Sequence, residues 1–103
     1  MRGMGNMFKQ AQKLQEKMLK LQEEMAEKTV EASSGGGMVR ATANGRQQLT
    51  SIQIDKEVVD PEDVEMLQDL IIAAVNDALS RSQEMMSAEM SKLTGGMNIP
   101  GLM

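Results

Sequence analysis

A chain of 103 residues with neither cysteine nor histidine has room for one domain with a modest core, and it lacks disulfides and the usual zinc ligands. Its net charge of −4 argues at first against nucleic acid, because neutralising phosphate requires basic groups. The charge is polarised, however: residues 1–22 carry Arg2, Lys9, Lys13, Lys17 and Lys20 against Glu16 alone, and acids dominate the remainder.

The first predicted element is a helix over about 5–27, rich in Gln, Lys, Glu, Leu and Met, all good helix formers. Met4, Met7, Ala11, Leu14, Met18, Leu21 and Met25 recur at spacings of three and four, a heptad seam suited to packing or to dimer assembly. Lys9, Lys13, Lys17 and Lys20 share a different arc of roughly 80° on the same helix. One face wants a partner, and another carries positive charge.

Three strands follow, over about 29–33, 38–43 and 46–55. Gly35, Gly36 and Gly37 mark the first connection, read as a two-residue turn at Gly35-Gly36. Asn44-Gly45 marks the second, since a type I′ hairpin turn needs positive φ at both central residues. Parity then collects Val30, Ala32, Val39, Ala41, Ile52 and Ile54 on one apolar sheet face.

Asp60 reads as an N-cap and Pro61 as the first residue of a helix over about 61–94. Val64, Leu67, Ile71, Ala74 and Ala78 give that helix a core-facing stripe. Gly95-Gly96 ends it, leaving 95–103 as a flexible tail. The expected architecture is a single α+β domain over 1–94, ordered α-β-β-β-α, with a three-stranded antiparallel sheet.

Helices of roughly 35 and 50 Å must overhang strands of about 20–25 Å. An overhanging apolar seam needs a cover, and a second copy of the chain is the simplest one. The sequence therefore predicts a homodimer.

Little here suggests catalysis. Ser33, Ser34 and Ser51 have no histidine to activate them, and the acids between Asp55 and Glu65 read as solvated or helix-start residues. The glycine run leads into a strand, so it fails as a phosphate loop. The same acids lack the alternating oxygen ligands of a calcium loop. The reading is a non-enzyme with no cofactor, no metal and no small-molecule substrate. Without a signal-peptide core or a run of about 18 apolar residues, a cytoplasmic protein with no membrane partner is expected.

The lysine stripe supports two readings. It is either a solvated face that keeps the chain soluble or a row of point charges for phosphates. A face built for solubility usually mixes signs, which this one barely does. Arg81 and Lys92, eleven residues apart and so about three turns along the last helix, can extend the same surface. With Phe8 as the one aromatic residue, stacking on single-stranded bases is poorly supported, which favours double-stranded DNA. The 12 methionines support an alternative: a Met-rich protein-interaction or chaperone-like adaptor without DNA binding.

The hairpin from Val30 to Val39 (VEASSGGGMV), the turn Asn44-Gly45, Ile52-Gln53-Ile54-Asp55, and the run from Leu70 to Ala78 (LIIAAVNDA) together resemble the YbaB/EbfC family of bacterial nucleoid-associated proteins. The resemblance implies a homodimer whose long helices project from the sheets, binding double-stranded DNA in nucleoid organisation or gene regulation. It also implicates the first and last helices in DNA contact, which on this chain points to Lys9, Lys13, Lys17, Lys20, Arg81 and Lys92.

Overall fold

The computed structural model describes residues 2–94, with side chains from 5 to 93. Its elements are α1 (Arg2–Glu27), β1 (Thr29–Ser34), β2 (Val39–Asn44), β3 (Leu49–Ile54) and α2 (Val64–Thr94). The three strands form one antiparallel sheet in the order β1-β2-β3. This is the expected α+β arrangement. The tail from 95 to 103 and the Met4 side chain lie outside the described residues.

Small residues set how closely α2 approaches the sheet. Ala74 and Ala78 are buried against Ala32, Val39, Ala41 and Ala43, with Val58 closing one end of the core. Asp55 positions Val58 by accepting a hydrogen bond from the Glu57 amide at 3.0 Å, which caps a short 3-10 turn over Lys56–Val58. Leu67, Leu70, Ile71, Val75 and Leu79 pack around this centre.

The helix lies across β1 and β2 and scarcely reaches β3. Ile52 and Ile54 therefore remain 37% exposed each, although parity places them on the helix-bearing face. A helix with side chains is only about 10 Å across, too narrow to shield three strands.

Both hairpins depart from the expected turns while keeping parity. Four residues separate β1 from β2, which pair with Ser34 opposite Val39. Gly35, Gly36 and Gly37 adopt φ of 60°, 69° and 95°, a path that L side chains disfavour. Ser34 ties this turn to α2 by donating from Oγ to the Leu70 carbonyl at 2.6 Å.

The second turn is not type I′. The Gln47 amide donates to the Asn44 carbonyl at 3.2 Å, and Gln47 takes the left-handed conformation with φ 60°. This is a three-residue loop in which a turn is followed by a left-handed residue. Asn44 favours it because its Oδ1 accepts from the Arg46 and Gln48 amides at 2.9 and 3.1 Å. Thr50 is then the extra residue in the ladder, between Leu49 opposite Ala43 and Ser51 opposite Thr42.

Gly45 instead serves close approach. Its amide donates to the carbonyls of Met25 at 2.7 Å and Lys28 at 3.0 Å. A Cβ there would lie 2.8 Å from the Met25 Cβ and Sδ and 2.9 Å from its carbonyl oxygen. The hairpin tip is thus pressed onto the last turn of α1.

The start of α2 is also shifted. Asp60 accepts from the Glu62 amide at 2.9 Å and closes a tight turn, while Asp63 accepts from the Met66 amide at 3.2 Å. Asp63 is therefore the N-cap, and the helix begins at Val64 rather than near 61.

Candidate nucleic-acid interface

The seam of α1 is graded along its length. Met25 and Leu21 are buried, Met18 and Leu14 are half-buried, and Ala11 and Met7 are exposed. The helix is anchored most firmly at its last turns, and its exposure grows toward its N-terminal end. Among the six seam positions whose side chains are described, Leu21 and Met25 are core residues. Met7 is 70% exposed.

Lys9, Lys13, Lys17 and Lys20 are exposed, and among the described residues none of them forms an ion pair. Lys13 and Lys17 border a groove between α1 and the end of α2, with Gln10, Leu14 and Leu93. Farther in, Lys17 and Lys20 face Lys92 across the groove, whose lining includes Glu24 and Glu89. The structure thus gathers lysines from two helices, with Lys92 lying 72 residues beyond Lys20 in sequence.

Lys92 is not free. Its Nζ lies 3.6 Å from Glu89 Oε1, and the same oxygen accepts a hydrogen bond from Lys28 Nζ at 3.3 Å. Lys28, by hydrogen bond and charge, and Lys92 beside it hold the Glu89 carboxyl below the usual carboxylate range. The Lys28–Glu89 pair links the residue that follows α1 to α2.

Arg81 stands apart from this cluster. It pairs with Asp77 one turn earlier at 3.4 Å and reaches the Glu31 carbonyl of β1 at 3.5 Å. Arg81 and Lys92 both belong to α2, but each is already engaged by a neighbouring acid.

Sequence reasoning did not identify Lys28, Glu89 or Ser82. Lys28 and Glu89 are 61 residues apart, and no local pattern joins them. Ser82 carried a readable signal, because it continues the buried line of Ala74 and Ala78 one turn on. It is buried, donates from Oγ to the Asn44 carbonyl, and accepts from the Gln47 amide at 3.1 Å. It fastens the β2–β3 tip to α2 as Gly45 fastens it to α1.

Among the described residues, no helix is long and apolar enough to cross a membrane. The chain is similar to proteins called "Nucleoid-associated protein" in two bacteria. One, from Moorella thermoacetica, is 63% identical over 102 residues, covering 96% of this chain and 98% of that relative. The other, from Syntrophobacter fumaroxidans, is 62% identical over 97 residues, covering 94% of this chain and 88% of the relative. The fold resembles the crystal structure of the uncharacterized protein HP0035 from Helicobacter pylori, with a TM-score of 0.72 and 26% identity over 88% of this chain and 91% of that one. A model of the YbaB/EbfC DNA-binding family matches residues 1–97, and the chain belongs to that family.

Proposed function

We propose that this protein binds double-stranded DNA as a homodimer and acts at the nucleoid in the cytoplasm, in nucleoid organisation or gene regulation, without catalysis. The observation that carries this reading is the projecting stretch of α1, whose Lys9, Lys13, Lys17 and Lys20 are exposed and unpaired among the described residues. Such charges attract phosphates and carry little base information. Lys92 and Arg81 are the flanking contacts on α2.

Dimerisation is supported by the apolar surface left uncovered. Ile52 and Ile54 on β3 and Ile72 on α2 are exposed, as is Met7 on the α1 seam. A second copy is the cover we assign to them, with Met4, Met7, Ala11, Leu14 and Met18 contributing to the seam. The dimer also matters for binding: one arm offers four lysines, whereas two arms offer eight.

A gel-shift series with duplex DNA tests the reading, comparing wild type with a variant in which Lys9, Lys13, Lys17 and Lys20 are all glutamine. We expect the variant to lose most of its affinity. Wild-type affinity should fall with a log–log salt slope of about −7 if eight phosphates are neutralised. Unchanged affinity with an intact dimer refutes the lysine assignment. Salt-insensitive capture of apolar peptides would instead favour the Met-rich adaptor, and monomeric mass in sedimentation refutes the homodimer.

A further inference from the structure

The groove that holds the lysines is not purely basic. Lys17, Lys20 and Lys92 share it with Glu24 and Glu89, and Lys28 reaches in to Glu89. The two acids differ. Glu24 is exposed and forms no ion pair among the described residues, whereas one oxygen of the half-buried Glu89 lies within 3.3 and 3.6 Å of two ammonium groups. A carboxylate in that position does locally what a phosphate oxygen would do.

We propose that Glu89 sets the affinity of this groove: it is an internal anion that occupies Lys28 and Lys92, and duplex phosphate must displace it. The inference rests on the DNA-binding reading above and extends it from the α1 lysines to a residue of opposite charge. Four ammonium groups stand against two carboxylates, so removing one carboxylate changes the local balance substantially. It also releases two cations that are otherwise engaged.

The test is Glu89→Gln, which keeps the side chain's shape and its ability to accept hydrogen bonds while removing its charge. The probe is a short duplex, titrated at several salt concentrations against wild type, E89Q, Lys28→Gln and the four-lysine variant. Circular dichroism and sedimentation establish that each variant retains wild-type fold and mass. E89Q should bind about three- to tenfold more tightly at low salt. Its salt slope should match wild type, because phosphate reaches Lys28 and Lys92 in both complexes and only the cost of displacing the carboxylate differs. K28Q should show no gain.

Equal or weaker binding by E89Q, in a protein whose four-lysine variant is defective, overturns the proposal. Equal gains in E89Q and K28Q also overturn it, because opening of the link between helices would then be the cause. If the four-lysine variant binds like wild type, the DNA-binding reading of α1 fails first, and this inference falls with it.

Discussion

Replacing Gly45 with alanine should be among the most damaging single-methyl changes available to this chain. The added Cβ would lie 2.8 Å from the Met25 Cβ and Sδ and 2.9 Å from the Met25 carbonyl oxygen. The thioether can swing away, but the Cβ and the carbonyl are fixed to α1. Relief therefore requires the hairpin tip to withdraw, which weakens the Gly45 amide bonds to Met25 and Lys28. Overpacking against backbone together with a weakened hydrogen bond predicts a loss of about 2–4 kcal/mol. In a domain of this size that lowers Tm by about 10–25 °C.

Urea and thermal unfolding at fixed protein concentration would measure the loss, since an oligomer's apparent stability depends on concentration. Gly45 lies outside the left-handed region, so a larger side chain, as in Gly45→Asn, tests space alone. G45N should be at least as destabilised as G45A. Adding Met25→Ala to G45A should restore only part of the stability, because it removes the sulfur and leaves the Cβ and carbonyl in place. A G45A loss below about 0.5 kcal/mol would refute the claim that the tip is pressed onto α1.

Two further outcomes are expected. Ser82→Ala leaves the Gln47 amide without its side-chain acceptor and should cost about 1–3 kcal/mol in urea unfolding; a change within about 0.3 kcal/mol would show that water replaces the hydroxyl. Glu89 has a depressed pKa in the folded chain, so its contribution to stability is fully present above the unfolded glutamate value near about 4.3 and is lost as pH falls through the folded value. The stability difference between wild type and E89Q should therefore narrow below about pH 4.3, and a gap that persists unchanged to pH 3 contradicts the assignment.

Element order, strand parity and the lysine stripe were legible because each depends on short-range periodicity. Parity survived even though both turns were misread: the first connection is longer by two residues, and at the second the odd loop length is offset by the extra residue Thr50. Asn44-Gly45 misled because the dipeptide suits a type I′ turn, while contact with Met25 decides what Gly45 is for. Asp60 and Asp63 are both competent caps, and local sequence does not choose between them. The incomplete cover of β3 and the Lys28–Glu89–Lys92 cluster arise from the placement of whole elements, to which one-dimensional patterns are blind. Spacing put the four lysines on one face, but it gave no sign of Glu89, which shares a groove with Lys17 and Lys20.

The graded seam makes α1 a cantilever. Its mount is the short contact of Leu21 and Met25 with the body of the protomer, and Lys9 lies 16 residues outward from Met25, about 24 Å along the axis. A tilt of about 10° at the mount would therefore swing Lys9 through about 4 Å. That exceeds the roughly 1.7 Å between successive charges along a duplex. If the α1 lysines meet duplex phosphates as proposed, the stiffness of the joint at Gly45, far from Lys9, would govern whether the outer charges stay in register with them.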